Sequence, residues 1–473
     1  MREGAERRLL VIAYFFPPVG GVGVERTLKH VTYLPELGWR PVVVAPSNSA
    51  YRVVDPRLLA RVPAGTEVMR TPTAEPGHLR AILGAVRRTA RRGPRTPAES
   101  RVGPEGPARD EVLAERPTRP PGAVRRLANA GWARAVPALF FPDEQLLWAP
   151  SAVLAGWRAG RRRRVSAIYS SSPPVSGHLA AALLKRLLRA PWVADFRDPW
   201  IGNAFARRLS APHRALQASL ERRIVTGADR VVLPTEAIRD EYAARYPRQR
   251  GRLVTIPNGY DLAELGGGSP HAPAGGALED GERTAGARPF RLIYAGSLYG
   301  EHELDLLLDG VERLLARDAG WRDRLCIELV GYLSERNRAV ARRRLEALSP
   351  VVSILGFRAR EEAIERQRAA DAALVLLAAG RSGVATSKLY EYLGLDLPIL
   401  AVAPPGEARR ILADLGWGVG ADPTPEGVAD GLERIVAWRR PRAIADPERR
   451  YERRALSVRL AALLEELAPA APG

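Results

Sequence analysis

Short continuous apolar runs alternate with stretches of helical period along most of this chain. That pattern belongs to parallel strands covered by helices, because strands buried on both faces read as unbroken apolar runs. In the first half the runs predict strands at 9–13, 41–45, 165–170, 192–195, 230–233 and 253–256. Helices are expected between them at 24–37, 175–188, 204–226 and 235–246. In the second half strands are expected at 290–295, 326–330, 351–355, 372–377, 398–403 and 417–419. The fold class is therefore α/β, with two doubly wound units in tandem.

Two stretches break the rhythm. Residues 87–121 are dense in Arg, Pro and Gly without apolar periodicity, which predicts a disordered insertion. Residues 266–287 are rich in Gly, Pro and Ala and suit a linker. The expected division is a first domain over 1–265, the linker, a second domain over 288–445, and a C-terminal helix and tail over 446–473. In that last segment the helix is placed at 447–467, with Leu456, Val458, Leu460, Leu463, Leu464 and Leu467 expected to pack on a neighbour.

Composition narrows the class. The chain has 473 residues, 46% hydrophobic and 26% charged, normal for globular domains with full cores. Its single cysteine, Cys326, rules out an internal disulfide framework and a cysteine-based zinc site. The net charge is +19, yet only three basic residues are lysines: Lys29, Lys185 and Lys388. No zinc-finger spacing, ribonucleoprotein motif or basic zipper accompanies the arginines, so nucleic acid ranks low as a partner. Residues 123–141 mix arginines with Leu127, Trp132, Leu139, Phe140 and Phe141, and Arg161 to Arg164 lie nearby. This combination admits an anionic membrane surface as a partner. No apolar run reaches the ~20 residues of a membrane span. The expected location is the cytoplasm, with peripheral contact at the inner face of the cell membrane as an extension.

In open parallel sheets ligands bind beyond the carboxyl ends of strands. Four unusual segments fall at such ends. Phe16-Pro17-Pro18-Val19-Gly20-Gly21-Val22-Gly23 follows the first strand, where glycines allow close backbone approach to a phosphate; a tight turn explains it equally well. Ser170-Ser171-Ser172-Pro173-Pro174 leads to His178, for which a capping or surface histidine is the plainer reading. Asp195-Phe196-Arg197-Asp198-Pro199-Trp200 ends another strand, and two carboxylates around an arginine there are costly to bury without a partner or ligand. In the run from Ser382 to Leu393, Thr386 or Ser387 can cap a helix whose free amides meet an anion. Lys388 and Glu391, three apart, share a face beside the apolar stripe of Leu389, Tyr392 and Leu393. A surface salt bridge is the alternative for that pair. Ala295-Gly296-Ser297-Leu298-Tyr299-Gly300 and Gly356-Phe357-Arg358 complete the set.

The segments 17–23, 195–200, Ile256-Pro257-Asn258-Gly259-Tyr260-Asp261, 294–300 and 387–392, in this order, resemble family 4 of the glycosyltransferases. The resemblance implies the GT-B architecture, two Rossmann-like domains facing across a cleft. It also implies transfer of a sugar from a nucleotide-diphosphate sugar to an unidentified acceptor, a saccharide or lipid-linked saccharide. Retention of configuration, no bound metal and no cofactor beyond the substrate follow from it, in a setting of envelope or extracellular polysaccharide synthesis. By similarity, Glu391 holds the donor ribose, while Lys388 and the amides of Thr386 and Ser387 hold the diphosphate. Gly296 and Ser297 open the donor cleft, and the backbone around Phe357 and Arg358 reads the base. Gly20, Gly21 and Gly23 close over the phosphates. His178, Asp195, Arg197 and Asp198 face the sugar and acceptor. Two departures stand out: Gly383 occupies a position often acidic, and 296–304 contains neither arginine nor lysine. Competing readings are a nucleotide-sugar epimerase, a catalytically silent relative, and a basic membrane-surface or nucleic-acid binding protein.

Overall fold

The computed structural model describes residues 7–51, 53–78, 140–202, 210–266, 288–298, 302–439 and 444–468. The expected insertion at 87–121 and all but the first residue of the expected linker lie outside them. The first half builds β1 (Arg7–Ile12), α1 (Val22–Tyr33), β2 (Trp39–Pro46), β3 (Glu67–Thr71), α2 (Ala149–Arg162), β4 (Ala167–Ser172) and α3 (Ser176–Leu188). It continues through β5 (Trp192–Phe196), α4 (Ala211–Gly227), β6 (Arg230–Leu233), α5 (Glu236–Arg245) and β7 (Leu253–Thr255). The seven strands form one parallel sheet in the order β3-β2-β1-β4-β5-β6-β7.

Successive strand residues point to opposite faces, so each strand feeds two cores. Leu10, Ile12, Ile168, Trp192 and Ala194 pack with α2, α3 and α4 through Ala152, Leu184 and Ile224. Leu9, Val11, Val43, Tyr169 and Val193 pack on the other face with Val24, Leu28 and Val31 of α1.

The second half contains β8 (Phe290–Ala295), α6 (Glu303–Arg317), α7 (Trp321–Arg324), β9 (Leu325–Val330), α8 (Glu335–Leu348), β10 (Val352–Gly356) and α9 (Arg360–Arg368). After these come β11 (Ala372–Leu376), α10 (Ser387–Gly394), β12 (Ile399–Val402), α11 (Glu407–Leu415), β13 (Gly418–Ala421), α12 (Pro425–Ala437) and α13 (Arg453–Leu467). Its six strands are again parallel, in the order β10-β9-β8-β11-β12-β13. The two doubly wound units expected from the sequence are thus present.

The last helix, set apart in the expected division, packs on the first half. Leu456, Leu460 and Leu464 of α13 join the α1 side of the first core, and Ser457 Oγ lies 2.9 Å from His30 Nδ1. The helix starts at Arg453 rather than 447 because the chain is extended just before it. There Tyr260 donates its amide to Tyr451 at 3.0 Å, and Arg453 donates its own to Tyr260 at 2.8 Å. The two crossings between domains are therefore hydrogen-bonded to each other. Gly259 is what permits this approach, since a Cβ there would stand 2.1 Å from the Tyr451 carbonyl oxygen.

In the first half, two elements escaped the sequence reading. β3 is a short edge strand with mostly half-buried residues, so it shows no apolar run. In α2, Gly156 and Gly160 lie against Leu184 and Leu188 of α3, where a Cβ would approach to 2.8 and 2.6 Å. Those glycines serve helix contact but weaken the local helix pattern.

Candidate active site between two sheets

Each sheet reverses its strand order at one place. In the first the reversal falls between β1 and β4, in the second between β8 and β11. The crevice beyond such a reversal is where open α/β sheets bind ligands. The loops after those four strands carry most of the candidate residues.

On the first sheet, Gly20 donates its amide to Val53 at 2.9 Å, and Gly21 caps α1 with φ 92°, a conformation that favours glycine. Arg197 clamps this loop. Its guanidinium donates to the Gly23 carbonyl, to Ser172 O at 3.2 Å and to Pro173 O at 3.2 Å, with Phe15 beneath at 5.2 Å. Arg197 therefore ties the loop after β1 to the loop after β4. Asp198 next to it is solvent-exposed at the rim of β5, and desolvation by the surrounding protein raises its carboxyl above the ordinary value.

His178 is fully buried. Trp192 Nε1 donates to Ser170 Oγ at 2.7 Å, and Ser170 Oγ lies 2.8 Å from His178 Nδ1. The hydroxyl, already accepting from tryptophan, gives its proton to Nδ1, which places the ring proton on Nε2. That Nε2–H has no hydrogen-bond partner among the described residues. Burial drives the imidazole down to about 3, so it is neutral at physiological pH.

Asp195 departs from its expected role. Rather than facing a ligand, its carboxylate is fully buried and taken up by protein: Arg26 Nε donates at 2.7 Å and NH2 at 2.8 Å, and the Tyr169 hydroxyl donates as well. Burial alone would raise this carboxyl, but Arg26 outweighs it and holds it below the ordinary range. The remaining Arg26 donors reach Pro257 O at 2.8 Å and Ile256 O at 2.9 Å. Asp195 thus fastens α1 to the end of β7 through Arg26, a structural pair that a local motif cannot distinguish from a catalytic one.

On the second sheet, α10 buries Leu389, Tyr390, Tyr392 and Leu393, leaving Lys388 and Glu391 on the half-buried side, as the spacing predicts. Lys388 is held tightly: its Nζ stands over the Tyr294 ring at 4.9 Å, and a Cβ on Gly296 would come within 2.1 Å of its Cε. Desolvation lowers its ammonium below the ordinary lysine value. Thr386 precedes α10 without a side-chain cap, and its buried Oγ1 has no hydrogen-bond partner among the described residues. Glu391 accepts from Gln367 Nε2 at 2.9 Å and from Arg360 NH1 at 3.5 Å.

Gly296, Gly331 and Gly356 close neighbouring strands; Gly331 donates its amide to Gly356 at 2.9 Å, and a Cβ on it would stand 2.4 Å from Gly296 O. Ser297 accepts from the Tyr294 hydroxyl through its carbonyl at 3.2 Å. Phe357 follows the edge strand β10 and is 54% exposed, while Arg358 is committed to Phe357 O at 2.9 Å and Glu362 at 3.1 Å.

Residues the motifs did not single out complete this locus. Arg381 pairs with Glu303 at 3.8 Å, and both act electrostatically on Lys388. Glu303, Arg360 and Gln367 reach the site only through the fold. Between the domains, the Thr235 hydroxyl donates to Gly383 O at 2.9 Å, so Gly383 faces the start of α5. Among the described residues no group of three or more His, Cys, Asp or Glu is disposed to hold a metal ion. No helix among them is long and apolar enough to cross a membrane.

The fold and its paired crevices define the GT-B class. Solved structures agree across nearly the whole chain: Anabaena HepE with UDP superposes with a TM-score of 0.58 at 14% identity, covering 98% of this chain and 100% of that one. A glycosyltransferase from Rickettsia africae gives 0.59 at 11% identity, covering 98% of each. The family model for a glycosyl transferase 4-like domain matches residues 105–259. D-inositol 3-phosphate glycosyltransferase from Kineococcus radiotolerans is 28% identical over 268 residues, 53% of this chain and 57% of that one. The enzyme of the same name from Streptomyces bingchenggensis is 28% identical over 247 residues, 50% of this chain and 51% of that one. The chain spans about half the length of the curated relatives it matches. The whole chain therefore has the GT-B fold, and its first half is similar to a glycosyl transferase 4-like domain.

Proposed function

We propose that the protein transfers a sugar from a nucleoside-diphosphate sugar to an acceptor hydroxyl, with retention and without a metal. The observation that carries this reading is the Lys388 locus. A desolvated lysine, an unsatisfied hydroxyl and the open end of a helix converge at the point where the second sheet reverses. A leaving diphosphate concentrates negative charge there, and fixed donors in a desolvated crevice stabilise it most effectively. Glu391, one turn further, takes the ribose diol in exchange for its contacts with Arg360 and Gln367. His178 Nε2–H donates to the sugar, and Asp198, with its raised carboxyl, accepts the acceptor proton. A structural neighbour solved with UDP and with UDP-glucose supports a donor of this chemical class.

The test is incubation with a panel of nucleotide sugars and acceptor glycans, following free nucleoside diphosphate. Release that depends on acceptor supports transfer; a product still joined to its nucleotide identifies an epimerase instead. The acceptor is proposed to lie at an anionic membrane surface, on the strength of Arg158, Arg161 and Arg162 interleaved with exposed Leu154 along α2. Failure to sediment with phosphatidylglycerol vesicles at low salt would remove the membrane from the proposal.

A further inference from the structure

We propose that Glu303 is a specificity-determining residue of the donor site, its carboxylate taking hydrogen bonds from hydroxyl groups of the transferred sugar. The inference rests on the donor reading above and goes beyond it by naming what distinguishes one sugar from another. Glu303 opens α6, directly after the loop in which Gly296 presses on Lys388. It is only 7% exposed.

Two other carboxylates among the described residues are closely satisfied. Asp195 meets Arg26 at 2.7 Å, and Asp371 takes both arms of Arg288 at 2.8 Å. Glu303 is different. Its one ion pair, with Arg381, is 3.8 Å long, and no hydrogen bond to its carboxylate is present among the described residues. Desolvation accordingly raises it, against the opposing pull of Arg381 and Lys388.

A carboxylate that has been taken out of water requires donors. It gives no help in gripping a diphosphate, because like charges repel more strongly as the local dielectric falls. Two cations with an under-satisfied carboxylate between them instead suit a ligand with both parts: phosphate oxygens for Lys388 and Arg381, and O–H donors for Glu303. In a nucleotide sugar those O–H groups sit on the sugar, next to the terminal phosphate.

The experiment compares wild type, Glu303→Gln and Glu303→Ala by calorimetric titration with UDP, GDP and their glucose, mannose and N-acetylglucosamine conjugates. For the nucleotide sugar that wild type prefers, Glu303→Ala is expected to lose roughly tenfold or more in affinity, the scale of a hydrogen bond to a charged group. Its affinity for the matching diphosphate is expected to hold or tighten. Glu303→Gln is expected to bind with intermediate affinity and to discriminate less between sugars. The comparison is a ratio within one preparation, so a partly unfolded sample does not disturb it. Parallel losses for diphosphate and sugar conjugate would reduce Glu303 to a support for Lys388 and Arg381, and unchanged ratios would also overturn the proposal. If wild type binds none of these nucleotides, the donor reading itself has failed, a result distinct from either of those.

Discussion

Asp195 separates a structural role from a chemical one most sharply. Its carboxylate is fully buried, accepts from Arg26 at 2.7 and 2.8 Å and from the Tyr169 hydroxyl, and faces a guanidinium that is itself only 2% exposed. Replacing Asp195 with alanine leaves that guanidinium buried without a counter-ion, a change that costs about 3–5 kcal/mol when one partner of a buried pair is removed. Against a typical total of about 5–15 kcal/mol, this is a large share of the stability of a domain. Urea unfolding followed by tryptophan fluorescence is a direct assay, because Trp192 lies on the same strand. The midpoint should fall with little change in slope. The double replacement Arg26→Met with Asp195→Leu should recover much of the loss, since apolar residues of similar volume often replace a buried pair without penalty. If Asp195→Ala stays within about 1 kcal/mol of the parent and yet loses transfer, the structural reasoning is wrong and the carboxylate acts on substrate.

Asp198→Ala should leave the urea midpoint within about 0.5 kcal/mol of the parent, as an exposed side chain does, while lowering transfer by about a hundredfold or more; a normal rate would free Asp198 from the mechanism. Glu391→Ala should raise the dissociation constant for nucleotide sugars by roughly tenfold, the scale of hydrogen bonds to a charged group, and an unchanged titration would move the ribose elsewhere. Gly259→Ala should destabilise by about 1–3 kcal/mol, since its methyl would overlap the Tyr451 carbonyl; an unaltered melting temperature would show that the crossings yield freely. His30 and His178 are both driven down by burial to about 3, His30 also by Arg26. The unfolded chain then binds more protons between about 3 and the ordinary value near 6.5. Stability is therefore full above that range and falls with decreasing pH, by roughly 1.4 kcal/mol per unit for each histidine. A urea midpoint that stays flat from pH 7 to 4.5 would contradict both burials.

What the sequence revealed follows from the range of the interactions involved. Every central strand was legible because residues such as Val11, Val193 and Leu374 are buried on both sheet faces, which forces unbroken apolar runs. Lys388 and Glu391 were legible because helical spacing alone puts them on the face that the buried Leu389 and Leu393 leave free. Illegible were the pairings that depend on sequence-distant partners. Arg26 lies 169 residues from Asp195, and nothing near either residue announces the other. Glu303 and Arg381 likewise meet only once β8 and β11 become neighbours. The edge strand β3 lacked a signal because only one end of it is buried.

Buried polar atoms without partners sharpen the argument about where ligands sit, although such atoms alone do not define a site. Trp39 Nε1 is one, and it belongs to a strand start at the opposite end of the first sheet. Thr386 Oγ1 and His178 Nε2 differ in position: each belongs to the loop–helix segment that follows a strand at a reversal, one in each sheet. An unsatisfied buried donor costs about 1–3 kcal/mol, and both of these atoms lie at the reversal of their sheet, where open α/β sheets bind ligands. In the second sheet a desolvated lysine shares the spot, and in the first the Arg197 clamp fixes the glycine loop beside it. A nucleotide sugar reaching both loci, as proposed, would bring phosphates to one and sugar hydroxyl groups to the other. Neither domain alone presents that combination, so deleting the Thr235 hydroxyl that joins them to Gly383 should weaken a nucleotide sugar more than a free diphosphate.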